Sequence, residues 1–489
     1  MQLFKMETMK MNLKLILGLF FSISLFVSCD LEELPENVDI VGPTNLADLE
    51  SLLNAGYNNL GWPLGGNAQL YAEINGDNID GPIGINSDET EIYNRSTSFF
   101  NNTIRDNMYR GFYRIVLDAN VVLGHIENNL EVLGLSATDE RVQEIKGEAH
   151  LLRGMALFEI SRFMSHSPGY STDNSHLGIQ YITSVDNALG QNRGTVAQNY
   201  ANLISDLKEA ESLLNMTNSK NQYYANKAAA QAYLAKVFFQ AGFGPDIDTA
   251  ESNYEQAFNY ANSALTNTSA VFDVNLYQGG DTGTERFAGN LVDDNNTESP
   301  NVETIFGIVS ESNANSKGGT FSRYRTDLAI SNTTIRMMQD LYNSIPSTDK
   351  RKTLLEETDG EYFLKKFNKG IFHVPLAHYT ELLLIRAEAA AETNSLSQAE
   401  TDINLILDRA GLSTISGLTK PQMITLVREQ RRIELLGEGN RINDLKRIGV
   451  NETSLTIRNA PWNCNGIVFQ FPATEVFTGF IQNPTGGCN

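Results

Sequence analysis

The chain has 489 residues, with 59 Asp or Glu and 37 Lys or Arg, so its formal net charge at pH 7 is −22. This excess of negative charge argues against nucleic acid or an anionic lipid surface as a binding partner. The length allows one large domain or two.

The first 28 residues carry the features of an export signal. Lys10 and Lys14 precede an apolar run over residues 15–27 that is too short to span a membrane, which is typical of a secretory signal peptide. The run ends in Ser28-Cys29, which resembles a bacterial lipobox. We therefore expect residues 1–28 to be removed and a lipid on Cys29 to anchor the protein to a membrane. An ordinary signal peptide followed by an incidental cysteine is the alternative.

Residues 29–45 begin with an acidic stretch and predict an extended tether. Because residues 1–28 carry a net charge of +2, the chain without them has a formal charge of −24. The other two cysteines, Cys464 and Cys488, lie near the end of the chain. They can form a disulfide in an exported protein, but separation in sequence does not decide between a disulfide and two free thiols.

Apolar residues at helical spacing predict helices from Leu46 to Tyr57, Ile104 to Leu133 and Arg141 to Phe163. The last two form a helical hairpin. Between the first two helices, residues 61–98 are rich in Gly, Asn and Asp and predict a loop. A further helix begins at Thr195, which starts a capping box.

Two further helix pairs are rich in alanine. One joins residues 227–242 to 254–265, and the other joins 377–393 to 397–410. The second pair matches the tetratricopeptide pattern. Since such a pair cannot bury its apolar face alone, several pairs must stack on one another.

These elements predict a mainly α fold in a single domain over residues 46–489. We expect a tetratricopeptide-like helix-pair scaffold, with pairs in about 104–265 and 375–412 and a large irregular insertion in about 266–374. The insertion predicts a few short strands, such as residues 303–309. In a last helical stretch, from Thr419 to Arg447, we expect Arg431 to pair with Glu434 three residues later.

No catalytic motif stands out. The sequence has no HExxH, GxSxG, Walker or CxxC motif, so we expect neither enzymatic activity nor a cofactor. The acidic segment 293–296 is followed by Glu298 where a calcium-binding EF-hand needs glycine, so no metal is expected. The many carboxylates leave a glycoside-hydrolysing pair open as an alternative.

A sugar-binding site needs a flat apolar ring and a few amide or carboxylate partners for hydroxyl groups. Such residues occur in the polar segment before the helix at Ile104 and in the mid-chain insertion. Because of the charge of −24, we expect a neutral or near-neutral oligosaccharide. The candidate ligand-binding residues are Trp62, Tyr71, Asp77, Asn78, Tyr93, Asn101, Tyr277, Arg323 and Tyr324.

Three segments carry a resemblance to a known family. They are 147–158 (GEAHLLRGMALF), 428–447 (REQRRIELLGEGNRINDLKR) and the tail, where FQFPATE at 469–475 precedes Asn483-Pro484. Their order along the chain resembles that of the SusD/RagB family of nutrient-binding outer-membrane lipoproteins of the Bacteroidetes. The chain departs from that family's pattern, which usually shows His and an aromatic pair, at three positions: Asn440, Ile442 and Asn443.

The resemblance implies about four helix pairs and a place on the outer-membrane surface. It also implies capture of an oligosaccharide or other nutrient, without catalysis, for a SusC-like TonB-dependent transporter. Helix-pair repeats commonly bind peptides in their concave face. A protein–protein scaffold or a peptide-binding lipoprotein is therefore the alternative.

Overall fold

The computed structural model describes residues 43–81, 84–186, 191–218, 220–221, 223–247, 251–277, 301–309, 319–368, 373–477 and 479–488. Cys29, the predicted signal peptide and the acidic segment 293–296 lie outside the described residues. Residues 45–489 form one structural unit. Within the described ranges, no helix is both long enough and apolar enough to cross a membrane.

Helices dominate the described part of the chain. A helical turn (Asn102–Ile104) and a π-helical turn (Arg105–Tyr109) lead without a break into the fourth helix. The helices are α1 (Leu46–Leu64), α2 (Asn67–Asn75), α3 (Ser87–Tyr93), α4 (Arg110–Asn128), α5 (Glu140–Met164), α6 (Val196–Leu213), α7 (Lys227–Ala241), α8 (Asn253–Asn267), α9 (Gln339–Ser344), α10 (Tyr379–Glu392), α11 (Leu396–Arg409), α12 (Lys420–Glu434) and α13 (Arg441–Asn451).

The long helices pack on one another largely in chain order. α1 packs on α4, α4 on α5, α5 on α6, α6 on α7, and α7 on α8. α8 then packs on α10, which also contacts α11 and α12. The expected pairs α4–α5, α7–α8 and α10–α11 are confirmed. Small side chains such as Ala387 and Ala399, both fully buried, let the helix backbones approach closely.

Three short antiparallel strand pairs accompany the helices. β1 (Thr304–Ile308) pairs with β4 (Val374–His378), and β2 (Leu355–Thr358) pairs with β3 (Glu361–Leu364). β5 (Thr456–Ile457) pairs with β6 (Ala460–Pro461). Asp359 and Gly360 both have positive φ, which suits the two-residue turn between β2 and β3. The strand expected over 303–309 is confirmed as β1.

The segment 61–98 is not the loop that its composition predicts. α1 continues to Leu64, and α2 and α3 follow. α3 begins with a capping box between Asn86 and Glu89, which satisfies backbone N–H groups at its start. Buried apolar side chains hold both short helices on the core, which overrides the polar composition; these are Leu70, Ile74 and Ile92.

Buried ion pairs join α12 to distant parts of the chain. Glu434 accepts hydrogen bonds from Arg351 at 3.2 Å and from Arg409 at 3.0 Å. Arg431 pairs with Asp444 of α13 at 2.9 Å. The expected pair between Arg431 and Glu434 is therefore wrong, because both side chains are buried and bind partners on other elements instead of each other.

Cys464 and Cys488 form a disulfide, with their Cα atoms 5.2 Å apart. The bond closes a separation of 24 residues in the C-terminal segment. The sequence leaves open whether these cysteines form a disulfide or remain free thiols, and the structure has the disulfide.

Candidate ligand-binding surface

Three of the tyrosines predicted to bind ligand have buried rings. The Tyr71 hydroxyl accepts a hydrogen bond from Asn107 at 2.9 Å, and burial raises the pKa of Tyr71 to about 12. The Tyr277 hydroxyl donates to Glu434 at 2.8 Å, and the Tyr324 ring lies 5.3 Å from that of Phe367. In this structure these rings pack in the core and offer no exposed face.

Two other aromatic candidates are more accessible. Trp62, near the end of α1, is 52% exposed. Tyr93 is partly buried, and the Arg458 guanidinium lies 4.0 Å from the centre of its ring. The Tyr93 hydroxyl accepts a hydrogen bond from the backbone of Gly81 at 3.1 Å. Trp62 therefore keeps an open ring, whereas a cation already covers one face of Tyr93.

Asp77 and Asn78 join the end of α2 to α12 and α13. Asp77 accepts two hydrogen bonds from Arg441, at 2.7 and 2.8 Å. Asn78 accepts from Arg432 at 2.9 Å. Burial raises the pKa of Asp77, but the hydrogen bonds and charge of Arg441 and the charge of Arg432 outweigh it, so the pKa is lowered overall. Both candidates are engaged in contacts within the protein.

Arg323 brings the mid-chain insertion onto the first polar segment. It forms a salt bridge with Glu89 of α3. Nearby, the Thr320 hydroxyl donates to Asn67 at 2.8 Å. The two segments that the sequence analysis singles out therefore meet here, whereas Tyr277 lies at the buried Glu434.

An exposed aromatic pair, Phe99–Phe100, precedes α4. Phe99 is 43% exposed and Phe100 is 69% exposed, and their ring centres are 4.3 Å apart. The Phe99 carbonyl accepts a hydrogen bond from the backbone of Ala473, at 2.8 Å, which fixes the pair to the C-terminal segment. Adjacent aromatic rings left in water are typical of a surface that binds another molecule.

Asn101 directly follows this pair and is buried. Its side-chain oxygen accepts from the backbone of Ile104 at 2.9 Å and so caps the helical turn. Its amide donates to the Asp88 carbonyl and to Glu91, both at 2.9 Å. All of these contacts are to protein atoms, and they fix the start of the helical turn directly after the aromatic pair.

Phe99 and Phe100 are not among the binding residues that the sequence predicts. Their signal is two consecutive aromatics in a polar segment, directly before an Asn that caps a helix. Sequence alone does not show whether such rings point into the core or into water. Among the described residues, no group of three or more His, Cys, Asp or Glu side chains is arranged to hold a metal ion.

Two family models match the chain. One, SusD-like and described as starch-binding associating with outer membrane, matches residues 31–239. The SusD family model matches residues 181–481, which is more than half of the chain. The chain belongs to the SusD family. Comparison with curated proteins gives no match.

Solved structures share the fold. A SusD superfamily protein from Bacteroides thetaiotaomicron VPI-5482 is 20% identical, with a TM-score of 0.71 over 90% of this chain and 100% of that chain. A SusD-like carbohydrate binding protein from Bacteroides vulgatus ATCC 8482 is 20% identical, with a TM-score of 0.66 over 83% of each chain. A SusD superfamily protein from Parabacteroides distasonis ATCC 8503 is 16% identical, with a TM-score of 0.69 over 89% of this chain and 98% of that chain.

Proposed function

We propose that this chain is a carbohydrate-binding lipoprotein of the outer-membrane surface. In this proposal it captures a neutral oligosaccharide for a SusC-like TonB-dependent transporter and catalyses no reaction. Membership of the SusD family supports the proposal, as does the description of the matching model as starch-binding. The fold shared with a SusD-like carbohydrate binding protein agrees with it.

The observation that carries the binding proposal is the exposed aromatic pair Phe99–Phe100. A sugar ring has an apolar face that packs on such a platform, and the backbone around the pair is already held by Asn101 and by the C-terminal segment. Truncation of a well-packed aromatic contact costs about 1–3 kcal/mol of binding free energy. That loss corresponds to roughly a tenfold to hundredfold weaker affinity. Trp62 is a second exposed candidate.

The remaining candidates stay in the proposal mainly as positioning residues. Asn101 fixes the start of the helical turn after the aromatic pair, and Asp77 and Asn78 fix the end of α2. Arg323 ties the insertion to α3. In the same proposal Tyr93 packs under Arg458. The other three tyrosines, Tyr71, Tyr277 and Tyr324, are buried and belong to the core.

Calorimetric titration with a neutral oligosaccharide tests this assignment. Phe100→Ala should weaken binding at least tenfold while the circular dichroism spectrum is unchanged. Val132→Ala is the matched control, because Val132 is an exposed apolar residue in the turn between α4 and α5. If Phe100→Ala, Val132→Ala and the parent all bind the oligosaccharide with equal affinity, Phe99–Phe100 is not the ring surface on which the sugar packs.

The transporter partnership needs a separate measurement, because its support is family membership alone. An affinity-tagged full-length chain, extracted from outer membranes with mild detergent, should co-purify with a TonB-dependent transporter. Recovery of the tagged chain alone would contradict the partnership and leave the binding proposal intact.

A further inference from the structure

A cavity of about 290 Å³ lies against the first turns of α4. Glu475 lines it, two residues after the Ala473 that contacts Phe99. The cavity is therefore linked, through one short loop, to the exposed aromatic pair. Its volume is at the small end for ligand pockets, so it suits one or two rings.

The π-helical turn Arg105–Tyr109 lies next to this cavity and contributes its last residue, Tyr109, to the lining. Such turns insert an extra residue into a helix and are frequent at functional sites. Here Tyr109 ends the turn and Tyr113 lies one helical turn later, and both line the cavity with ring centres 4.6 Å apart. Both hydroxyls donate to Gln180, at 2.7 Å to its side chain and 2.9 Å to its backbone carbonyl. The aromatic wall is thus fixed before any ligand arrives.

Two arginines supply hydrogen-bond donors at the cavity. Arg110 pairs with Asp106 at 3.0 Å, and Arg114 pairs with Asp118 at 3.3 Å. Both arginine side chains are more than half exposed. Each ion pair engages one guanidinium nitrogen within the described part of the chain, so further N–H groups are available to a ligand.

Both arginines that line the cavity already have carboxylate partners. Asp106 is shared by Arg105 and Arg110, Asp118 pairs with Arg114, and Glu475 adds a carboxylate to the lining itself. The cavity therefore offers donors and acceptors, and a neighbouring carboxylate offsets the charge of each lining arginine. Such a site suits hydroxyl groups, because each hydroxyl both donates and accepts a hydrogen bond.

We propose that this cavity binds a single neutral sugar residue of the captured oligosaccharide. The inference rests on the proposed function and deepens it. The apolar face of the sugar packs on Tyr113 and Leu117, and its hydroxyls bind Arg110, Arg114 and Glu475. The rest of the oligosaccharide extends along the loop toward Phe100.

Leu117→Trp and Glu475→Gln test the cavity. Both are made in the protein without residues 1–28, and binding is measured with a neutral oligosaccharide that the parent protein binds. Leu117 is only partly buried and lines the cavity, so a larger side chain fills the space without removing a core contact. Each variant should weaken calorimetric affinity about tenfold or more. Leu405→Trp is the matched control, since Leu405 is exposed on α11. Its affinity should equal that of the parent.

The outcomes separate this inference from the proposed function. If Phe100→Ala weakens binding but both cavity variants bind like the parent, the cavity assignment is overturned and the function stands. If the parent binds no neutral glycan, both are overturned. If only carboxylated oligosaccharides bind, and the cavity variants abolish that binding, the site takes an acidic sugar and the neutral class is wrong.

Discussion

Arg447 of α13 donates two hydrogen bonds to Glu388 of α10, at 2.9 and 3.1 Å, and both side chains are buried. Arg428 of α12 adds a third hydrogen bond to the same carboxylate, at 2.8 Å. One glutamate therefore joins three helices. The segment that carries both arginines is also one of those on which the family resemblance depends.

Glu388→Gln should destabilise the protein by about 1.5–3 kcal/mol, because it removes the charge from the carboxylate that both arginines share and weakens their charge-assisted hydrogen bonds. Arg447 keeps Asp444 as a partner at 3.3 Å, and Arg428 keeps Glu392 and Glu452. Urea unfolding at pH 7, followed by circular dichroism, measures the change. The control is Glu429→Gln, an exposed position on α12, which should change stability by less than about 0.5 kcal/mol. Equal midpoints for the two variants would show that Glu388 does not hold the helices together.

Because Glu388 is ionised in these contacts, we expect the protein to lose folding stability in acid. Burial raises the pKa of Glu388, but the charges of Arg447 and Arg428 outweigh it and lower the pKa to about 2. The pKa of a glutamate in the unfolded chain is about 4.3. Because the pKa of Glu388 is lower in the folded protein, its ionised form stabilises the fold at pH values above about 4.3, and this stabilisation is lost as the pH falls toward 2. The unfolding free energy of the parent should therefore fall between pH 4.5 and 2. Glu388→Gln should show a shallower fall over that window, and an identical slope would rule out this origin.

The disulfide between Cys464 and Cys488 should stabilise the C-terminal segment. Closing a separation of 24 residues corresponds to about 3 kcal/mol of stabilisation in the chain-entropy account. Cys488→Ser should lower the urea midpoint accordingly. Dithiothreitol should destabilise the parent but not the variant. Loss of stability in both with reductant would point to an effect unrelated to this bond.

The helical scaffold follows from the sequence because its signals are periodic and long. The pairs α7–α8 and α10–α11 show alanines and larger apolar residues at helical spacing, and they pack as expected. The short helices α2 and α3 are different. Each is fewer than ten residues long and polar on one side, so tertiary packing rather than local pattern makes them helical.

The sequence selects two segments for the candidate site, and whether they bind ligand stays a prediction. The first polar segment and the insertion do meet, at Arg323 and Glu89. Which rings face water depends on tertiary packing that a pattern of isolated aromatics does not encode, so buried Tyr71 and exposed Phe100 look alike in sequence. Tyr109 lies in a π-helical turn, whose altered register no 3.6-residue spacing reveals.

The lipid anchor gives a prediction outside the described residues. Cys29→Ala should move the protein from the membrane fraction to the soluble fraction, because lipidation at this residue is expected to be the attachment. Fractionation with metabolic labelling by a fatty acid measures it. An incidental cysteine would instead leave both the parent and the variant unlabelled.

Capture of a neutral oligosaccharide is the central claim, and binding of a panel of glycans to the soluble protein, without residues 1–28 and with Cys29→Ala, tests it most directly. Retardation in gels that contain neutral polysaccharides, followed by calorimetry with matching oligosaccharides, should show saturable binding of at least one of them. A parallel panel of peptides should show none. Saturable binding of peptides with no glycan bound would contradict the claim and favour a peptide-binding scaffold.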